Sequence, residues 1–600
     1  MYYYNPWNLD YKQPFGAIKV GNSMSLRFTT DQPSVLVTCV IRRDFGKRYE
    51  FSMTKDSGGD FRVTIPFDEE PGLYFYHFEI VESSDLGETR RFYGCSGIGG
   101  EGLLYTDEND VKPYQLTVFE KEDQAPSWYR EAVFYQIFPD RFYNGNENGQ
   151  INHPKPNSFI YGRKTDSPFY VKEENGDIAR WDFFGGNLRG IIKKIPYLKE
   201  LGINAIYLNP IFSGTSNHRY DTNDYLKIDS MLGRQEDFEE LIQLLHQEKM
   251  HLVLDGVFSH VGKNSLYFNI NGDYGDDEGA AKNPDSPYFD WFKFENYPFE
   301  YKSWWGIKDL PEIDKDNDSF RNFIYGEKNS VLAKWNDLGI DGWRLDVADE
   351  LPDSFIKGIR ENLDSYSDKI LIGEIWEDAS NKISYGKRRN YILGGSLQAA
   401  MNYPFRDLII NLLNGHCSSQ DVAHQLMTLQ ENYPKDIFYN NLNNLGTHDT
   451  ERILTMVGEK NLSVALAMLF VLPGIPCIYY GDEAGLSGGK DPENRKYFPW
   501  DNISPNVYNV YKSWTQKRLS ENSLKYGEFS TFFTDRLLGI LRYTDSEVFV
   551  ELINPSEDEL NIEVQEITFL QNLKFLPELK KLLTEKVISG KTNLELKMKI

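Results

Sequence analysis

Over the first 120 residues apolar and polar positions alternate with a period of two, and segments 17–20, 25–28, 35–41, 62–65 and 73–81 read as short strands separated by turn signals such as Gly58-Gly-Asp60. This predicts an N-terminal β-sandwich over residues 1–120. From Glu131 onward, solid apolar runs alternate with amphipathic stretches of helical period. Eight strands can be counted, at 132–138, 203–209, 251–257, 340–345, 370–375, 397–402, 438–445 and 477–481, with helices at 188–201, 236–249, 329–338, 351–366, 405–414 and 462–472 between them. Repeated β–α units are the sequence form of a (β/α)₈ TIM barrel, so the fold class is α/β, with the catalytic barrel expected over 121–525. After the third strand, residues 258–313 wander through Gly, Asp, Asn and aromatic positions, which predicts a small inserted domain at the barrel's carboxyl face. A return to short strands at 537–543 and 548–553 predicts a C-terminal β-sandwich over 526–600.

Composition narrows the partners. Lys and Arg total 65 against 90 Asp and Glu, a formal charge of −25, which argues against a nucleic acid or an anionic membrane and for a neutral substrate. Aromatic residues make up 14% of the chain, read either as core or as stacking platforms for sugars. Cys39, Cys95, Cys417 and Cys477 lie far apart with no CxxC spacing, so reduced thiols are expected rather than a disulfide framework or a zinc site. The apolar run 464–480 is broken by Pro473, Gly474 and Pro476, and the first residues carry neither a basic nor an apolar leader region. A cytoplasmic protein is the expectation. Tyr2, Tyr3, Tyr4 and Trp7 read either as a glucan-binding surface on the N-terminal domain or as residues buried in an interface, and the interface is favoured.

Active sites of such barrels sit where strands end. The third strand ends Asp255-Gly-Val-Phe-Ser-His260, the fourth Asp341-Gly-Trp-Arg344-Leu-Asp346, the fifth Gly373-Glu374-Ile-Trp376, and the seventh Asn444-Leu-Gly-Thr-His448-Asp449. Each alone is equally a loop or helix cap. Together they supply the two carboxyls that glycoside hydrolysis needs as acid/base and nucleophile, with two to spare. Arg344 lies two residues before Asp346, so both side chains leave one face of the strand, and the guanidinium is expected to lower that carboxyl's pKa. A plain strand-end salt bridge is the alternative for that pair.

These strand ends, in this order, resemble the four short signature regions of the alpha-amylase family, the retaining α-glucan-active glycoside hydrolases of family 13. Phe134-Tyr-Gln-Ile-Phe-Pro-Asp-Arg-Phe142, Gly202-Ile-Asn-Ala-Ile-Tyr-Leu-Asn-Pro210 and Gly474-Ile-Pro-Cys-Ile-Tyr-Tyr-Gly-Asp-Glu483 add to the likeness. Asn217-His-Arg-Tyr220, Trp376 and the leading β-domain narrow it to the neopullulanase, cyclomaltodextrinase and maltogenic amylase group. The resemblance implies Asp346 as nucleophile, Glu374 as acid/base and Asp449 as the third carboxylate, with Arg344, His260, His448, Tyr220 and Trp376 around the sugar and Asp255 in support. His218 and Trp376 are equally readable as packing residues, and Trp304-Trp305 as a sugar platform or an anchor of the inserted segment. The partners implied are α-glucan oligosaccharides, and a homodimer whose N-terminal domain helps cover the other chain's cleft.

Three places depart from the family pattern. Ser259 precedes His260 where Asn is usual, and Asp349 stands where the nearer relatives usually have Asn. In the loop where many relatives hold calcium, Asn144, Asn146, Gly185 and Asn187 offer amide and carbonyl oxygens in place of carboxylates, so calcium is expected to be weak or absent and no other cofactor is implied. The implied activity is hydrolysis of α-1,4 and some α-1,6 bonds in maltooligosaccharides, cyclodextrins and pullulan. The competing readings are an α-1,6-specific glucosidase or pullulanase, a transglycosylase, and, from another class, a catalytically inactive carbohydrate-binding member. A metal-dependent barrel hydrolase fares poorly, since the nine histidines include no HExxH.

Overall fold

The computed structural model describes residues 1–68, 70–84, 87–174 and 176–600. The N-terminal strands form a five-stranded sheet, containing Ser23–Thr30 and Phe61–Pro66, and a seven-stranded sheet, containing Val35–Arg43, Gly72–Ser84 and Tyr114–Phe119. Inward-facing Leu26, Phe28, Phe61 and Ile65 of one meet Cys39, Ile41, Tyr76 and Phe78 of the other in a single core, as a sandwich requires. Of the aromatic start of the chain, Tyr4 and Trp7 are buried within this same chain and need no interface, while Tyr2 and Tyr3 are half-buried. Tyr4 sits in the sandwich core, while Trp7 packs into the barrel's core cluster and donates from Nε1 to Glu431 Oε2 at 2.9 Å on the barrel helix Ser419–Asn432.

The barrel strands are β1 (Phe134–Ile137), β2 (Ala205–Leu208), β3 (His251–Gly256), β4 (Gly342–Leu345), β5 (Ile370–Gly373), β6 (Ala399–Ala400), β7 (Leu442–Asn444) and β8 (Ile475–Tyr479). They pair in parallel in the order β6-β5-β4-β3-β2-β1-β8-β7, and a bridge from Met401 to Leu442 joins the two ends of the sheet. Helices and barrel interior cover both faces of every strand, which is why the strands read as unbroken apolar runs. The seventh strand is shorter than the sequence pattern suggests. Pro434 opens the helix Lys435–Asn440, and Ile437, Phe438 and Tyr439 are buried on its turns rather than alternating along a strand. The helix Ile453–Val471 is long and apolar enough to cross a membrane, yet Val464–Val471 is wholly buried and the helix packs against Tyr403–Leu413 and Pro505–Ser520.

Beyond the barrel, Glu528–Phe533, Leu538–Tyr543, Glu547–Asn554 and Thr592–Lys599 belong to a five-stranded sheet that Leu579 and Leu583 of the helix Leu576–Leu583 cover. Glu551 is buried in this sheet directly opposite Glu595, with Asn593 Nδ2 donating to Oε1 at 2.6 Å. Burial pushes its carboxyl up to about 8, above the unfolded value of 4.5. The stability that depends on its proton is therefore complete below pH 4.5 and lost as pH rises through about 8. Glu551→Gln is expected to melt several degrees above the wild-type protein at about pH 9 and close to it at about pH 4, read by scanning calorimetry. An equal shift at both pH values would contradict this.

Candidate active site

The polar strand ends meet at the carboxyl face around one guanidinium. Arg344, on β4 and fully buried, donates from Nη1 to Asp255 Oδ1 at 2.7 Å and to Asp346 Oδ1 at 2.9 Å, while Nη2 stands 2.7 Å from Glu374 Oε2 in an ion pair. Asp255 also accepts from Tyr207 at 2.6 Å and Tyr220 at 2.8 Å. Glu374 accepts from the Val347 amide at 2.8 Å on Oε2 and from Trp376 Nε1 at 2.9 Å on Oε1. Val347 is left-handed, φ 36, a conformation costly for a β-branched residue, and it turns its N–H onto that carboxylate.

Three acids share one cation in a site of low dielectric. Burial raises Asp346 well above the usual carboxylate range, Arg344 opposes this, and the charges of Glu374, Asp255 and Asp449 reinforce it. Asp255 is raised in the same way, burial again outweighing Arg344. The net lowering expected for Asp346 therefore does not occur, because burial outweighs the guanidinium and the neighbouring acids add to it.

Burial favours the neutral form of His260 and His448, and their tautomers follow from their neighbours. Gln136 Nε2 bonds Asn209 Oδ1 at 3.1 Å and His448 Nδ1 at 2.9 Å, so Nδ1 accepts and the proton of His448 lies on Nε2. That nitrogen faces Tyr220 Oη at 2.7 Å and Asp449 Oδ2 at 3.1 Å. Burial and the charges of Arg495 and Arg344 hold His448 well below the usual imidazole range. His260 donates from Nε2 to the Tyr220 carbonyl at 3.1 Å and accepts on Nδ1 from Ser259 Oγ at 2.8 Å, and burial brings it down to about 4. The serine that departs from the family pattern thus fixes the ring of its neighbour.

Above this floor opens a cleft of about 1210 Å³. Tyr220, His260, Asp346, Glu374, Trp376, His448 and Asp449 line it, whereas Asp255 and Arg344 lie beneath and reach it only through other groups. Trp376 is both packed and presented: its ring stacks on Tyr403 at 4.0 Å and remains 43% exposed. Trp304 and Trp305 stack on each other at 4.5 Å at the rim, and His218 packs edge-on to Trp181 at 4.9 Å on the lining. Asp349 pairs with Lys382 Nζ at 3.2 Å.

Several lining residues escaped the sequence reading. Tyr170 donates to Asp491 at 2.6 Å, and Arg495 pairs with Asp491 at 3.1 Å and stands 3.5 Å from Asp449, so the β1 and β8 loops meet over the third carboxylate. The length of segment 144–187, far beyond an ordinary βα loop, was the available signal for the first. Gln136 and Asn209 were visible as lone amides at the ends of apolar strands.

The amide-rich loop closes on itself. Asn187 Oδ1 caps the helix Leu188–Leu201 by accepting from Gly190 N at 2.8 Å, and its Nδ2 donates to Asn144 Oδ1 at 3.0 Å. Asn146 Nδ2 donates to the Gln150 carbonyl at 2.7 Å, and Gly185 N to Asp140 Oδ1 at 3.0 Å. Among the described residues no group of three or more His, Cys, Asp or Glu could hold a metal ion. The Asn144 and Asn187 oxygens are engaged by N–H groups, and none of Asn144, Asn146, Gly185 and Asn187 is a carboxylate, so the set does not fit calcium. A chelator is expected to leave the melting temperature within about 2 °C, and a large drop would show that these oxygens do bind the ion.

A (β/α)₈ barrel whose carboxyl face gathers four acids, two imidazoles and a ring-lined cleft defines a carbohydrate-active architecture. The family description "Alpha amylase, catalytic domain" matches residues 136–525. The chain belongs to the alpha-amylase family. It is 35% identical to the amylopullulanase of Thermoanaerobacterium saccharolyticum, covering 94% of this chain and 49% of that protein. It is 32% identical to the cyclomaltodextrinase of Geobacillus thermopakistaniensis, with 86% of each chain covered. The ligand-free cyclic alpha-maltosyl-(1→6)-maltose hydrolase of Arthrobacter globiformis superposes with a TM-score of 0.67 at 28% identity, covering 79% of this chain and all of that one. The chain spans about half the length, or less, of the amylopullulanases it matches.

Proposed function

We propose that the protein is a retaining α-glucan hydrolase that cleaves α-1,4 bonds, and some α-1,6 bonds, in maltooligosaccharides, cyclodextrins and pullulan. The observation that carries this is the single guanidinium holding Asp346 and Glu374 on its two terminal nitrogens, with Asp449 on the same cleft. In this reading Glu374 is the proton donor and Asp346 the carboxylate nucleophile, whose charge Arg344 Nη1 faces at 2.9 Å. Glu374 gives its proton to the glycosidic oxygen as the Asp346 carboxylate forms a bond to the anomeric carbon, and the leaving chain departs as an alcohol. Water then yields a proton to Glu374 while its oxygen displaces Asp346, restoring both groups. Asp449, with His448 Nε2–H beside it, faces the ring hydroxyls whose hydrogen bonds strengthen as positive charge develops on the sugar. Arg344 and Asp255 are positioning residues.

Likeness to amylopullulanases and to a hydrolase of an α-(1→6)-containing cyclic sugar favours a second reading, cleavage of α-1,6 bonds. Pullulan decides between them. Panose as product supports α-1,4 cleavage, maltotriose alone reassigns the enzyme to α-1,6, and proton NMR of the first-formed sugar should show the α-anomer. A β-anomer would overturn the double displacement. A reducing, cytoplasmic setting fits the four free cysteines. Self-association rests on the resemblance alone now that Tyr4 and Trp7 are accounted for within the chain, and light scattering at twice the chain mass would support it.

A further inference from the structure

Between β5 and β6 the chain makes a hairpin of two two-residue strands, Ile383–Ser384 and Lys387–Arg388, turned by Tyr385 and Gly386 at φ 50 and 73. The turn is left-handed at both central positions, which suits Gly386 but is costly for a tyrosine. Tyr385 is nevertheless 71% exposed on the cleft lining, its hydroxyl bonded to Glu350, whose Oε1 also accepts from Trp305 Nε1 at 2.9 Å. One carboxylate thus ties a ring from the loop after β5 to a ring from the loop after β3. The hairpin follows directly from Glu374, so it walls the side of the cleft where a leaving chain would lie; this step rests on the proposed role of Glu374 as proton donor.

A hairpin this short has no stability of its own, so its position is set by what holds its ends. Inside the barrel, Asp349 pairs with Lys382, and Asp353 Oδ1 accepts from Arg389 Nε at 2.9 Å. Arg389 also donates from Nη1 to the Asp349 carbonyl at 2.9 Å and from Nη2 to the Leu351 carbonyl, and further contacts come from the N-terminal sandwich of the same chain. Asp44 Oδ2 accepts from Arg388 Nε at 2.6 Å, with both side chains largely shielded. Gln115 donates from Nε2 to Ser380 Oγ and accepts on Oε1 from Asn381 Nδ2, each at 2.9 Å. Asp44 lies at the tip of a sandwich hairpin and Gln115 on the strand Tyr114–Phe119, two separate elements that converge on residues 380–388.

We propose that the N-terminal sandwich sets specificity in its own chain: Asp44 and Gln115 are positioning residues that seat the 380–389 hairpin, and thereby fix Tyr385 as the wall against which the leaving part of an oligosaccharide packs. The sandwich acts here on the barrel it is covalently joined to, whatever the oligomeric state.

The test compares maltohexaose with α-maltosyl fluoride, whose fluoride leaving group cannot reach the hairpin, in the wild-type enzyme and in Tyr385→Ala, Asp44→Ala, Arg388→Ala and Asp44→Ala/Arg388→Ala. Tyr385→Ala is expected to lower the maltohexaose-to-fluoride ratio of kcat/KM about tenfold, carried by KM, and each ion-pair variant about fivefold. The double variant should fall no further than either single one, and Asp44→Glu should recover part of the ratio. Hydrogen exchange in the peptide spanning 380–390 should quicken about tenfold in Asp44→Ala, a readout independent of activity. An unchanged exchange rate, an unchanged ratio in the ion-pair variants, or equal losses on both substrates would each overturn the proposal. A wild-type enzyme that turns over neither substrate would strike the hydrolase reading instead, with exchange still deciding whether Asp44 seats the hairpin.

Discussion

Asp346→Asn is expected to lower kcat on maltohexaose by at least about 10⁴-fold while the folded protein melts at the same temperature as wild type or higher. The loss follows from the proposed chemistry, because an amide oxygen is a poor nucleophile and the glycosyl ester cannot form. The stability follows from electrostatics. Burial and the neighbouring carboxylates raise Asp346, so the stability linked to its proton is complete below the unfolded carboxylate range and lost as pH rises through the folded value. A neutral Asn cannot lose that stability. It can still accept from Arg344 Nη1, so the cation keeps a partner. The gain should thus be visible near neutral pH and vanish in acid, as expected when function holds a group in an unfavourable place. Near-normal turnover by a folded Asp346→Asn protein would remove it from the role of nucleophile, and a lower melting temperature at neutral pH would refute the electrostatic reading.

The barrel was legible because strands covered on both faces spell solid apolar runs, and each run that ends in a lone polar residue marks the carboxyl face. Asp255, Arg344, Asp346, Glu374, His448 and Asp449 were all found in this way and converge on one site. What failed depended on contacts between distant segments. The pattern around Phe438 is apolar whether it forms a strand or a helical turn, and only Pro434 hinted at the helix. Tyr4 and Trp7 demand burial, yet composition cannot tell a partner's surface from a sandwich core or from Glu431, which lies 424 residues from Trp7. The direction of the Asp346 shift was misjudged for the same reason: spacing along β4 reveals Arg344, but neither the depth of burial nor the acids that arrive from β3 and β5. Tyr170, Tyr385 and Arg495 sit on irregular loops with no period to read, so the walls of the cleft were less legible than its floor.

Arg344→Met should be more damaging to the fold than the loss of any one acid. Among the described residues the guanidinium is the only cation within bonding distance of Asp255, Asp346 and Glu374, and removing it leaves buried acids without their counter-charge. Breaking such a cluster by deleting one partner costs about 3–5 kcal/mol where the remaining charges persist. The acids escape that cost by taking up protons. Because Arg344 lowers Asp346 against burial, its removal lets the carboxyl rise further, so a smaller fraction of nucleophile is ionised at neutral pH. Turnover should fall by about 10³-fold or more at pH 7, and the acid limb of kcat/KM should move toward alkaline pH. The melting temperature should lie well below that of wild type at about pH 8 and recover toward it at about pH 3, below the unfolded carboxylate range, where Asp255 and Asp346 are largely protonated in folded and unfolded chains alike. Arg344→Lys, a point charge that cannot span three carboxylates, should restore stability better than activity. An acid limb that stays in place, or a melting deficit equal at both pH values, would mean that Arg344 holds the site by packing rather than by charge.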